Sequence, residues 1–229
     1  KAKKINCVSN LKQWGLGQYL TAGDNNDVLP CDGMGDKKTY MSGSTPPSGT
    51  PNDPYAWFNT VPPNMGERSL SNYFAEPGGN MANKMPFPGR KGKIWHCPSA
   101  MMSDADMAQL NGGGQGGFFS YAMNIDLKQD GQYPNWMPKL STLSKPVSTV
   151  LMFDCVFNPV TEKVNNAPGY NSVNPANRWK SIGTRHEKGT VINFADGHAK
   201  YFKIFSVTNN PSSATEPQNP EIIWDWTSR

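Results

Sequence analysis

The sequence predicts an α+β fold in which an N-terminal α-helix packs on a small antiparallel β-sheet through a long, elaborated helix-to-sheet connection. Three observations predict it: helical periodicity over 1–22, turn-forming residues crowded into 23–117, and short apolar runs with a hairpin signal in 118–229. At 229 residues the chain can bury a sizeable core, and it suits one large domain better than two.

The helical stem rests on Ile5, Val8, Leu11, Gly15, Leu16 and Tyr19, which recur at three- and four-residue steps while Lys1, Lys3, Lys4, Lys12 and Gln13 fall largely elsewhere. Asp24-Asn25-Asn26-Asp27 then breaks the pattern, and Pro30 follows. In the connection, Ser42 to Pro51 and Gly112 to Gly117 are Gly/Pro/Ser punctuation that marks exposed excursions. Glu67 to Phe74 and Ser103 to Leu110 are predicted short helices, the second capped by Ser103 with Asp104 and Asp106 in its first turn.

Phe118 to Asn124 and Thr149 to Asp154 read as strands. Thr190 to Ala195 and His198 to Phe205 flank Asp196-Gly197, a dipeptide suited to a two-residue type I′ turn, and so predict a β-hairpin. An extended strand rises about 3.3 Å per residue, which places His186 and Asp196 near opposite ends and excludes them as a catalytic pair unless the chain folds back. Turn chemistry is therefore the simpler reading of Asp196. His186 and His198 have a structural or surface role as their default.

Composition narrows the function classes. Only 17% of residues are charged, the net charge is +4, and 22 Gly with 20 Pro predict much irregular loop. There is no glycine-rich phosphate loop, nucleophile elbow or nucleic-acid motif, so no nucleic-acid partner is expected. Cys7, Cys31, Cys97 and Cys155 lack the close pairs of a zinc finger, which leaves disulfides or free thiols. His96 beside Cys97 invites a thiolate-imidazole reading, but neighbours on an extended segment point to opposite faces.

His186, nine intervening residues and Asp196-Gly197 together resemble the prepilin-type processing-associated signature of a pilin-like family related to type II secretion pseudopilins. Other elements agree in order: the stem from Cys7 to Leu16, Cys97-Pro98, the Ser-Tyr-x-Met-Asn run from Ser120 to Asn124, the Pro146 to Asp154 strand and the terminal Asn219 to Trp226. Residues 32–93 are unmatched. The resemblance implies a pilin-like fold and a non-enzymatic structural subunit of a type IV pilus-like or type II secretion pseudopilus assembly. Members have a leader that is cleaved, a new terminus that is commonly methylated, and about twenty apolar residues continuing into the stem. The chain starts at Lys1 and contains no run of 18 apolar residues, so it is expected to be a soluble extracytoplasmic domain without its membrane helix. Other pilin-like subunits and the bacterial inner membrane, through that helix, are the implied partners.

Further chemistry has weaker support. Asp24 to Asp27 and Asp32-Gly33-Met34-Gly35-Asp36 offer clustered oxygens of the kind Ca²⁺ takes, and some related major pseudopilins bind calcium near the sheet. Neither segment has the twelve-residue calcium loop with its terminal Glu, and polar turns are the simpler reading. Seven Trp and eight Tyr with many Asn could line a face for glycan, making a surface-exposed or secreted glycan- or protein-binding module the alternative function. Asp154 and Glu162 cannot be paired as glycosidase carboxylates from sequence. A polar seam is expected instead, because Asp154 ends one strand while Arg185 and His186 precede another.

Overall fold

The computed structural model describes residues 2–34, 50–110, 116–128, 137–158, 160–162, 173–207 and 219–226. Gly35 and Asp36, most of 42–51, and 112–115 lie outside the described residues.

A 23-residue helix, α1 (Ala2–Asp24), opens the chain. It ends where Asn26 and Asp27 turn at positive φ. Its buried face is Cys7, Leu11, Trp14, Gln18 and Thr21, together with Gly15, Gly17 and Ala22. This corrects the expected face, because Ile5, Leu16 and Tyr19 point outward while Leu11 and Gly15 point inward. The inward side is selected by fit. Trp14 packs edge-on against Trp57 and Trp95 at 5.0 and 5.1 Å, and the missing side chain of Gly15 lets α1 lie against Asn193.

Short elements fill the connection: α2 (Trp57–Thr60), α3 (Leu70–Phe74), α4 (Met81–Lys84) and α5 (Asp104–Met107). Ser69 caps α3 by accepting from Asn72 N. Ser103 and Asp106 form a reciprocal capping box on α5. The connection thus folds over the helix side of the sheet, placing Trp57, Phe58, Tyr73, Phe87 and Trp95 in the same core as Leu11 and Trp14.

The sheet contains β1 (Tyr121–Asn124), β2 (Val150–Asp154), β3 (Ala176–Asn177), β4 (Gly189–Phe194) and β5 (Ala199–Lys203) in the order β3-β1-β2-β4-β5. It is mixed rather than wholly antiparallel, because β3 pairs parallel to β1 at its edge. β5 runs directly into α6 (Ile204–Val207), shorter than the strand expected through Phe205. Side-chain alternation sends Val191 toward α1 and sends Ile192 and Phe194 to the opposite face, where Trp179, Ile182, Ile222 and Trp224 form a second core.

The β4-β5 connection holds four residues, Ala195-Asp196-Gly197-His198, instead of a two-residue type I′ turn. Only Gly197 has positive φ, at 88°, and its N–H donates to Phe194 O at 2.8 Å. Asp196 has no such φ, so a type I turn closed by a left-handed glycine replaces the mirror-image turn. Successive positive φ instead occur at Glu187 and Lys188, 55° and 60°, immediately before β4.

Candidate functional site

Four separated segments meet beneath α1. Cys7 points inward from the helix, and Cys97 follows a short 3₁₀ turn at Lys93–Trp95, where its backbone N–H donates to Ser120 Oγ at 2.6 Å. Asp154 ends β2, paired in register with Tyr121 of β1. His186 sits in the turn before β4, its carbonyl accepting from Tyr201 Oη at 2.9 Å. All four side chains are buried, and one ligand atom from each lies within 4.8 Å of the others.

Arg185 and His186 both reach Asp154. The Arg185 guanidinium contacts Asp154 Oδ1 and Glu162 Oε2 and also donates to Cys155 O at 2.8 Å. His186 Nε2 stands 3.0 Å from Cys97 Sγ and 3.8 Å from Asp154 Oδ2. Asp154 Oδ2 is buried without a hydrogen-bond partner. Its backbone carbonyl accepts from Thr190 Oγ1 and Gly183 N, which fixes the main chain at the end of β2.

Burial pushes the Asp154 carboxyl well above its ordinary range, with Arg185 pulling the other way. Burial opposes the Arg185 charge, but Asp154 and Glu162 keep the guanidinium protonated. Burial raises the Cys7 thiol, whereas the neighbouring Cys7 pulls the Cys97 thiol down against burial, assisted by His186 and Arg185.

This arrangement differs from a nucleophilic relay. A Cys-His-Asp triad uses both imidazole nitrogens, one toward the nucleophile and the other toward the orienting carboxylate. Here Cys97 Sγ and Asp154 Oδ2 both approach Nε2. His96, the sequence neighbour of Cys97, points elsewhere and meets the Phe157 ring edge-on at 5.4 Å. An open cleft of about 410 Å³, lined by Asn6, Asn10, Arg90, Lys93 and His96 among others, reaches Cys97.

The remaining sequence-predicted residues serve local structure. Asp196 Oδ1 lies 2.6 Å from His198 Nδ1, with β4 separating it from His186. Asp32 is buried and paired with Lys128 at 2.9 Å, while Asp27 accepts from Ser141 N at 2.9 Å. Glu162 binds the same Arg185 guanidinium as Asp154. Cys31 and Cys155 are buried free thiols, and burial pushes Cys155 up to about 12. The aromatic glycan face loses Trp14, Trp57, Trp95, Trp179 and Trp224 to the interior.

Sequence spacing missed the four-residue cluster because its members are dozens of residues apart and no two share an element. A signal was present only as single residues: an inward cysteine at helical spacing from Leu11 and Trp14, and a carboxylate ending an otherwise apolar strand. Among the described residues, no helix is long and apolar enough to cross a membrane. Comparison with models of known protein families, with curated proteins and with solved structures found no match.

Proposed function

We propose that this domain is the extracytoplasmic head of a pilin-like structural subunit, non-enzymatic and built to assemble through α1 with other subunits of a type IV pilus-like or type II secretion pseudopilus fibre. The observation that carries the reading is the outer face of α1. Ile5, Leu16, Tyr19 and Leu20 are exposed there, opposite the buried Cys7-Leu11-Trp14-Gln18 face. At about 100° per residue they share one stripe along the helix. Its inner face already docks on β2, β4 and β5, so the stripe is left for a partner helix. An apolar helix preceding α1 would anchor the subunit in the bacterial inner membrane and extend this stripe.

The test is expression of the precursor in its own host, with membrane fractionation and imaging of fibres. Leu16→Asp should leave the stability of the head within about 0.5 kcal/mol, because the position is exposed, while reducing its recovery in fibres. Unchanged fibre incorporation would remove the stripe from the assembly surface, and a precursor without a membrane segment would overturn the reading. The rival glycan- or protein-binding module would use the Asn- and Lys-lined cleft. Direct glycan binding lost on changing Asn10 or Lys93 would favour it.

A further inference from the structure

We propose that Cys7, Cys97, Asp154 and His186 form a tetrahedral binding site for one Zn²⁺ ion, which clamps the N-terminal helix to the sheet. The donor set is two sulfurs, one imidazole nitrogen and one carboxylate oxygen. Thiolate and imidazole ligands select borderline or soft ions, whereas Ca²⁺ and Mg²⁺ take oxygen-rich shells.

The geometry supports one shared centre. With metal–sulfur bonds of about 2.3 Å and metal–nitrogen or metal–oxygen bonds of about 2.0–2.2 Å, ligand atoms of a tetrahedral site stand about 3.3–3.8 Å apart. The four atoms already lie within 4.8 Å of one another, and Nε2 is 3.0 Å from Cys97 Sγ and 3.8 Å from Asp154 Oδ2. Closing on an ion therefore needs side-chain adjustments rather than a new backbone arrangement.

Two independent features point to a ligand. Asp154 Oδ2 is fully buried without a hydrogen bond, an arrangement that is costly unless another group satisfies it. Its other oxygen is fixed by Arg185, which Glu162 and Cys155 O hold in turn, as an outer shell orients a ligating carboxylate. A Cys7–Cys97 disulfide would use the sulfurs alone and leave that oxygen and Nε2 unemployed. Two thiolates with the Asp154 carboxylate would balance a dication together with the Arg185 guanidinium. Thiolate ligation releases the protons of any protonated ligand thiols, and His186 ligates as the neutral imidazole. The cleft at Cys97 provides an entry path.

The experiment uses the unaltered 229-residue chain, purified under reducing conditions, stripped with a chelator and titrated separately with Zn²⁺ and Co²⁺. One equivalent should bind, with Co²⁺ giving the visible bands of tetrahedral coordination and the near-ultraviolet charge-transfer band of thiolate ligation. Arg185→Lys, which leaves all four ligands in place, should weaken Zn²⁺ by about 10–100-fold. Cys97→Ser should abolish the thiolate band or reduce its intensity by half, and Asp154→Asn and His186→Asn should each weaken binding at least tenfold. Circular dichroism identifies variants that fail to fold, and the titration of the unaltered chain stands without them. A Cys7–Cys97 disulfide found by mass spectrometry in protein isolated from its host would overturn the proposal. So would absence of stoichiometric binding to the reduced chain, or affinity unchanged in both Asp154→Asn and His186→Asn.

Discussion

Two glycines bounding the β4-β5 hairpin are required for different physical reasons. Gly197 has φ 88°, yet a Cβ there would meet only Tyr19 at 3.7 Å, so Gly197→Ala should cost about 1 kcal/mol through backbone strain alone. Gly189 lacks the positive φ, but its Cβ would run into Phe202 O and the Tyr201 ring, and Gly189→Ala should cost about 2 kcal/mol or more. Urea denaturation of both variants checks the order. His96 supplies the clearest pH effect, because burial pushes its imidazole down to about 4 from an unfolded value near 6.5. The unfolded chain therefore binds the extra proton first as pH falls. The stability of neutral His96 is present above about pH 6.5 and is lost progressively toward pH 4, amounting to about 3 kcal/mol. His96→Phe should flatten this part of the profile, measured by urea titrations at pH 7 and 4.5. An equally steep loss in the variant would refute the assignment.

At the scale of elements, the contact between α1 and β4 is limited by a single missing side chain. A Cβ on Gly15 would collide with Asn193, whose Nδ2 donates to Gly197 O at 3.2 Å and His198 O at 2.9 Å. Gly15→Ala should therefore lift the helix and loosen the hairpin together, costing about 1–3 kcal/mol despite alanine's better helix propensity. Faster amide exchange at both α1 and the 194–198 turn would show the coupling; loosening of only one would contradict it. The existence of α1, the capped α5 and the β4-β5 hairpin was legible because periodicity, Ser103 capping and Asp196-Gly197 are local signals. The inward face of α1 was not. Leu11 and Leu16 have the same hydrophobicity, and only the positions of Trp57, Trp95 and Asn193 decide which is covered. The parallel edge strand β3 was equally hidden, since two residues, Ala176-Asn177, carry no periodicity.

For the whole molecule, the same partition separates the side chains that hold the fold together from those left on its surface. The cysteine, carboxylate and histidine of the buried cluster come from α1, the connection, β2 and the turn before β4, so their convergence exists only after the long-range packing forms. That is why the polar seam at Asp154, Arg185 and His186 could be read from strand order while Cys7 and Cys97 could not. The outer stripe of α1, by contrast, exposes only Ile5, Leu16, Tyr19 and Leu20 as large apolar side chains. Four side chains fall well short of the roughly 1,200 Å² of total buried surface typical of a stable specific interface. The isolated 229-residue domain should accordingly sediment as a monomer at low micromolar concentration and show no turnover in a broad hydrolase screen. If the proposed pilin-like reading holds, adding an apolar helix before α1 should move the domain to the membrane and allow the stripe to engage a neighbour, because the longer helix would supply further packing surface. Sedimentation velocity of the domain and fractionation of the precursor measure the two halves of this expectation. A tight domain dimer unaffected by Leu16→Asp would place association elsewhere, and turnover abolished by a single buried polar substitution would replace the proposed structural role with an enzymatic one.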